Sequence, residues 1–495
     1  MTHSLKSPRL RSASLEFAVT PQLGGPTVGK TGAVVMKVAG PLKTTITLLE
    51  DGERRLCLIT THFNSPKAVN VSALFRRTVA NELKLPVSNV LLFVSHNHTD
   101  MKMAENQCEA YEQLGSSHDS LPEPRLLPTG QAMLDQLRSH AKQLPALLQP
   151  VTVWWAEGRE GRITYNRKGR RADGSTYLMR EEDRDLMGNN FSGDIDTQAP
   201  VIVLKNEQGE PITALVQFTG HPCTCYHPEK PVVFGDWPQV ACNAVAGHLS
   251  PPHPVPVSFM QGCAADVNSK GMFRGGIELS KRYGQMLGES YIQALGNLKP
   301  SMRDGFEYAA EKVQVPLAPL PSESTLAAEI AEMEDFIRRA NAGDEDTLAC
   351  AGLNFPRELS PVYRGKLIEG VLPWSRWALE LRQCGKADSV AKFLDAEIYV
   401  LRLGDVGIVA MPFEPFQGIG RQLRAASRLP LTIPCGYTNV SFGYLTDSAN
   451  TNAGDGDYMT AHHRYSRFRA PYQKPAGDVL ATKGAEILNR FAHDH

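Results

Sequence analysis

The stretch from Leu56 to Ser95 constrains the fold more than any other part of the chain. Residues 56–61 (LCLITT) form a short apolar run, as a buried strand requires. Residues 67–84 (KAVNVSALFRRTVANELK) then space apolar side chains at helical intervals, and Pro86 stops the pattern. A second apolar run follows at 89–95 (NVLLFVS). Strand, helix and strand in such close succession form a βαβ unit, whose crossover joins parallel strands. Further strands are expected at 151–156, 201–205, 212–219, 256–261, 398–403 and 406–411, with hairpin turns at Glu207–Gly209 and Gly404–Asp405. Helices are expected at 129–145, 237–249, 276–297, 323–342, 374–385, 416–427 and 475–491. The expected fold class is α/β, a mixed but largely parallel sheet flanked by helices. Residues 306–395 are more helical and more charged than their surroundings, so they read as a helical insertion or subdomain inside one catalytic domain spanning 1–495. No internal repeat stands out.

Charge and apolar content exclude several classes. The 52 Lys and Arg balance 53 Asp and Glu, leaving a formal charge of −1. A nucleic-acid binder usually shows a strongly basic face, and an acidic tail would show the opposite bias. No apolar run approaches the ~18 residues of a membrane span. The N-terminus, MTHSLKSPRLRSASLEFAV, is basic but lacks the apolar core of a secretory signal. The nine cysteines are odd in number and scattered, which suits a reducing cytoplasm better than a disulfide framework. Cys223 and Cys225, with His227 nearby, read as a loop of small buried side chains, because a zinc site would need further ligands at matched spacing.

Gly24-Gly25-Pro26-Thr27-Val28-Gly29-Lys30-Thr31 fits the G-x-x-x-x-G-K-T phosphate loop. That chemistry needs a following helix whose N-terminus meets the phosphates. Here the run Gly32-Ala33-Val34-Val35-Met36-Lys37-Val38 reads as a strand, and Pro26 removes one cradling amide. A glycine-rich turn between two strands is the preferred reading.

A sharper signal lies at the ends of three expected strands. Ser95-His96-Asn97-His98 follows 89–95, Gly220-His221-Pro222 follows 212–219, and Pro412-Phe413-Glu414 follows 406–411. Alternate residues of an extended segment share a face, so His96 and His98 can look into one cavity. Ligands of open α/β sheets bind at the carboxyl edge of the strands. Two histidines and a glutamate are a common ligand set for hydrolytic zinc, leaving a position open for water that the metal acidifies. Each histidine alone reads equally as a hydrogen-bonded loop residue.

Taken in order, the motifs resemble the neutral/alkaline non-lysosomal ceramidase family. They are Thr20-Pro21, Val94-Ser95-His96-Asn97-His98, Tyr165-Asn166-Arg167, Phe218-Thr219-Gly220-His221-Pro222 with Gly235-Asp236, Gln261-Gly262-Cys263-Ala264-Ala265-Asp266-Val267-Asn268, Pro412-Phe413-Glu414, and Gly436-Tyr437-Thr438-Asn439 leading to Gly443-Tyr444. The resemblance runs from about residue 15 to the end and covers the family's catalytic N-terminal domain. It implies one Zn2+ held by His96, His221, Glu414 and Tyr444. It implies that His98 contacts the substrate carbonyl, that Arg167 binds substrate or stabilises negative charge, and that Tyr458 belongs to the active site. Read without the family, Tyr444 is an aromatic packed beside a loop, and Arg167 is a solvated arginine in the basic run 162–171. Asp236 either handles protons or orients His221.

Three departures qualify the resemblance. Family members carry a serine, proposed as catalytic, where this chain has Asn268; asparagine can donate to an oxyanion but cannot attack a carbonyl. A covalent route would then need Ser269. The family's C-terminal β-sandwich is not expected here, nor is its common secretory signal. The sequence reading is therefore a cytoplasmic zinc hydrolase that cleaves an amide bond of a soluble or polar small molecule with metal-activated water. Ester or lactone hydrolysis at the same metal, and a catalytically lapsed metal-binding or scaffold protein, stand as alternatives. The polar loop 447–475, with Arg464, Tyr465, Arg467 and Arg469, is expected to close over an anionic or polar substrate, or else to be a solvated surface loop.

Overall fold

The computed structural model describes residues 10–27, 32–108, 121–170, 176–188, 190–448, 462–465 and 468–493. Its principal elements fall into three units of the same topology. In the first unit, β1 (Leu10–Val19), β2 (Leu42–Asp51) and β3 (Arg54–Thr61) pair antiparallel in succession; helix α1 (Val69–Leu83) then crosses to β4 (Val90–Val94), which lies parallel to β3, and α2 (Pro128–Leu147) follows. The second unit repeats this with β5 (Thr152–Arg159), β6 (Gln198–Lys205), β7 (Pro211–Phe218), α3 (Asp236–Leu249), β8 (Val257–Gln261) and α4 (Gly276–Leu295). In the third, β9 (Phe306–Pro316) and β10 (Phe393–Leu403) enclose an inserted helix pair, α5 (Glu323–Asn341) and α6 (Pro361–Gln383). Then come β11 (Val406–Ala410), α7 (Gln417–Ala426), β12 (Leu431–Cys435) and α8 (Asp478–His493).

The class is α/β, but the sheets are not largely parallel. Each of the three sheets has one parallel pair, β3–β4, β7–β8 or β11–β12, and otherwise antiparallel neighbours. The physical reason is connection length. A crossover helix reaches a parallel partner, whereas the short turns after Asp51, Lys205 and Leu403 close hairpins. The two expected hairpins lie at the second and third of these turns.

Period-two alternation then organises the core. Leu58, Leu91 and Phe93 of the first sheet, Ile202, Leu215 and Met260 of the second, and Leu401, Ile408 and Ile433 of the third meet in one central cluster. Their sequence neighbours face outward onto each unit's own helices. Ile59 and Val90 pack with Phe75 and Leu137, Val201 and Phe259 with Trp237 and Leu287, and Val400 and Val409 with Ile419 and Leu488. Strands buried on both faces read as continuous apolar runs, which is why these were the ones legible in sequence. The half-polar strands β1, β2 and β9 were not.

Two expectations shift. The region 306–395 begins and ends in strands of the third sheet, so its helical part is the insertion between them. Within it, helix α6 starts at Pro361 rather than after Pro373, because Pro373 is accommodated inside the helix and Ser360 caps it by accepting from the Tyr363 amide. The Gly24–Thr31 segment contains no phosphate cradle in its described part. Pro26 bridges Val34 antiparallel, and no helix follows over 32–38, while residues 28–31 lie outside the described residues. Among the described residues, no helix is long and apolar enough to cross a membrane.

Candidate metal centre and its cavity

The three parallel strand pairs end on the same side of the molecule. The Ser95 amide donates to Thr61 O and Gly262 to Phe218 O, from the second strand of the pair to the first, whereas in the third pair Met411, after the first strand, donates to Cys435 O. Each unit then sends two loops into one centre. Unit one contributes His96 and His98. His96 adopts φ = +61°, so the chain turns sharply as it leaves β4. Unit two contributes His221, bridged in parallel to Asn268. Unit three contributes Glu414, paired with Tyr444.

Their donor atoms converge. His96 Nε2 lies 3.3 Å from His98 Nε2 and 3.3 Å from Glu414 Oε2, and His221 Nε2 lies 3.6 Å from the same carboxylate oxygen. The ligand atoms of His96, His98 and His221 all fall within 4.8 Å of one another. The outward ring nitrogens are held by acceptors. His221 Nδ1 sits 2.7 Å from Ala264 O and 3.1 Å from Val267 O, and His96 Nδ1 lies 3.3 Å from Asn64 Oδ1. Ligation through the inward Nε2 lone pairs requires the proton on Nδ1 in both rings, and these acceptors are placed to take it. Tyr437 stacks on His96 at 4.2 Å and fixes its plane.

Electrostatics agree with that assignment. Burial pushes His96 down to about 3 and holds His98 well below the usual imidazole value. Burial and the neighbouring Arg167 charge lower His221. Burial alone would raise Glu414, but His96 and Lys67 keep its carboxyl well below the usual range. Neutral imidazoles and an ionised carboxylate, all aiming lone pairs at one point, are the donor set that a divalent cation needs. The residues therefore fit a metal ion.

Arg167 is buried beside this centre rather than solvated. It donates to Ala265 O through Nε and Nη2, and Nη2 also donates to the Tyr444 hydroxyl at 2.8 Å. The same nitrogen lies 3.5 Å from His221 Nε2. Asn268 Oδ1 faces Arg167 Nη1 and Cys223 Sγ, and its amide nitrogen faces Met272 Sδ. Ser269 is fully buried, accepting from Thr224 Oγ1 at 2.9 Å, and does not line the cavity.

Asp236 is a correction. It neither joins the cluster nor orients His221, whose Nδ1 is occupied by main-chain carbonyls. Its carboxylate instead accepts from the amides of Trp237 and Cys225 and from the Ser280 hydroxyl, which ties the start of α3 to α4. Tyr458 and Arg467 lie outside the described residues. Arg464 pairs with Glu329 and Arg469 donates to Ala470 O, so these two do not present charge to a substrate, whereas Tyr465 lines the cavity. Cys223 is buried, and burial pushes its thiol up to about 12, unlike a metal-bound thiolate.

A cavity of about 480 Å3 opens over the cluster. Its floor is His96, His98, Arg167, Asn268, Glu414 and Tyr444. Its walls mix charged side chains, among them Lys102, Glu105, Arg180 and Glu181, with an apolar set. Leu178 and Met179 come from the β5–β6 connection, Met272 and Phe273 from the loop after β8, and Phe355, Leu359 and Leu367 from the inserted helix pair. Sequence reasoning missed Asn64 and Lys67, which follow β3 just as His221 follows β7. That equivalence of position shows only in the folded chain.

No family model matches the chain, and no curated protein is similar to it in sequence. Solved structures are similar in fold. A neutral ceramidase from Pseudomonas aeruginosa superimposes with a TM-score of 0.61 at 15% identity, covering 98% of this chain and 75% of that one. A ceramidase complexed with C2 superimposes at 0.63 and 17% identity, covering 98% of this chain and 76% of that one. The chain has the neutral ceramidase fold.

Proposed function

We propose that the chain is a zinc-dependent hydrolase of the neutral ceramidase type that cleaves an amide bond. The observation that carries this is the convergence of His96 Nε2, His221 Nε2 and Glu414 Oε2 at the carboxyl ends of three equivalent strand pairs. His96, His221 and Glu414 would hold the ion, with Tyr444 or His98 completing the set. A bound ion supplies Lewis acidity, polarising the carbonyl and raising the acidity of a water molecule.

The chain's own residues supply the rest. Arg167 is buried, permanently charged and already held to Tyr444, so it stabilises negative charge on the carbonyl oxygen without reorganising. His98, kept neutral by burial and therefore a weak base, sits at the rim of the centre, where it would contact the substrate carbonyl. Asn268 cannot act as a nucleophile and Ser269 is turned away from the cavity, which favours water as the attacking group. The apolar part of the wall suits the acyl chain of an N-acyl compound, so a lipid-like substrate is proposed in place of the expected soluble or polar one. The two superimposing proteins, named as ceramidases, support this class.

The test is amine release from a panel of N-acyl amides. Activity should fall with a chelator and return with Zn2+. His96→Ala and Glu414→Gln should each lower kcat/KM by about 10²–10⁴-fold, while Cys225→Ser should leave it within about twofold. Chelator-resistant turnover, or full activity in His96→Ala, would sink the reading.

A further inference from the structure

Lys67 occupies the polar floor of the cavity without any role in the chemistry set out above. It ends a short helical turn, Ser65–Lys67, directly after β3. The buried Asp100 carboxylate fixes that turn, accepting from the amides of Asn64 at 2.6 Å and Ser65 at 3.0 Å and from the Ser65 hydroxyl at 2.8 Å. The turn delivers the Lys67 ammonium to 3.7 Å from Glu414 Oε1 and 3.4 Å from His96 Nδ1.

An ammonium offers only donors. The proton on His96 Nδ1 goes to Asn64 Oδ1, so that nitrogen has no lone pair for Lys67, and the ammonium's partner is Glu414. The two oxygens of Glu414 are thereby divided. Oε2 faces His96 and His221, while Oε1 faces Lys67 and, at 3.5 Å, the Ser441 hydroxyl. We infer that Lys67 is a positioning residue that reserves Oε1 for itself and presents Glu414 to a divalent ion through Oε2 alone.

The inference rests on the metal-centre reading and deepens it. It also has a competing physical outcome of opposite sign. A cation this close to a divalent ion repels it, so deleting the charge for purely electrostatic reasons would tighten metal binding. Deleting an orienting partner loosens it, by roughly 10–100-fold for groups that hold a metal ligand in place.

The experiment uses the full chain with Zn2+ and Co2+ as probes. Zinc affinity is measured at one fixed pH by competition with a chelating dye, and the visible absorption of the cobalt-loaded protein reports coordination. Lys67→Met should bind zinc about 10–100-fold more weakly, and its cobalt bands should lose intensity as a second carboxylate oxygen enters the coordination sphere. Lys67→Arg should restore both signals, which a general loss of packing would not allow. Lys67→Gln supplies a second uncharged variant should the methionine form fail to fold. Unchanged or tighter zinc binding, or an unaltered cobalt spectrum, in the uncharged variants overturns the role of Lys67. Absence of zinc binding by the unmodified chain overturns the metal centre itself, and the Lys67 inference with it.

Discussion

At the scale of single residues, this site is built from groups whose charge states are set by burial. Imidazoles that would sit near 6.5 in water are forced neutral, and the buried His62 outside the centre behaves likewise. His62 is 5% exposed, its Nδ1 has no hydrogen-bond partner among the described residues, and burial with the nearby Lys43 lowers it to about 3. For a base whose folded value is depressed, the stability contribution is complete above the unfolded value near 6.5. It is lost as pH falls from there towards 3, because the unfolded chain takes up a proton that the folded one refuses. The limiting slope is about 1.4 kcal/mol per pH unit. The urea midpoint of the metal-free protein should therefore fall steeply below pH 6.5, and His62→Gln should reduce that dependence by one proton's worth. An unchanged slope between pH 6 and 4 in the variant would clear His62 of the role. Legibility in sequence follows the same division. His96, His221 and Glu414 stood out because a polar residue directly after a buried apolar strand is costly unless it has work to do. Tyr444 and Arg167 were reachable only through family resemblance, since an aromatic or an arginine in a loop has ordinary explanations. Lys67 escaped because it reads as the start of an amphipathic helix.

At the scale of elements, the repeated pair of helices on each sheet is a packing problem solved differently in each unit. In the second unit, α3 and α4 cross at glycines. A Cβ on Gly284 would overlap the Val240 side chain and come 2.8 Å from Trp237 O, and one on Gly288 would come 2.8 Å from Ala244 Cβ. Carbon atoms in good contact sit about 3.5–4.0 Å apart. Alanine is intrinsically the better helix former by about 1 kcal/mol, so propensity and packing oppose each other here. Packing should win. Gly284→Ala is expected to cost about 1–3 kcal/mol, read as a lower urea midpoint with an unchanged m-value. A neutral or stabilised variant would mean that the helices are free to separate. Helices and the two hairpins were legible because their apolar periods are local. The sheet composition was not, because one βαβ signal says nothing about the antiparallel strands that precede it. The threefold repeat left no trace in the sequence, since the segments after the first strand of each parallel pair, His62-Phe63-Asn64, Thr219-Gly220-His221 and Met411-Pro412-Phe413, share no residue pattern.

At the scale of the molecule, the repeat separates chemistry from specificity. The proposed metal ligands come from the strand ends of the three units, which share one core. The cavity walls come from what the units do not share: the β5–β6 connection and the helix pair inserted in unit three. That helix pair has an apolar cluster of its own, in which Met333, Phe336, Phe355 and Ile368 are buried, with Leu367 packed against it at the cavity edge. A change at Leu367 should therefore reach the substrate without reaching the metal. Leu367→Trp narrows the cavity and should raise KM for long-chain N-acyl substrates by about tenfold or more, while short-chain substrates keep their kcat and zinc affinity stays at its original value. Leu367→Ala should do the reverse, admitting bulkier chains and losing about 1–3 kcal/mol of transition-state binding to the substrate that fits best. Parallel kinetics on a graded chain-length series, with zinc affinity measured on the same samples, decide the matter. Equal effects on all chain lengths, or a shift in zinc affinity, would show that the insertion supports the catalytic floor rather than selecting what lies on it.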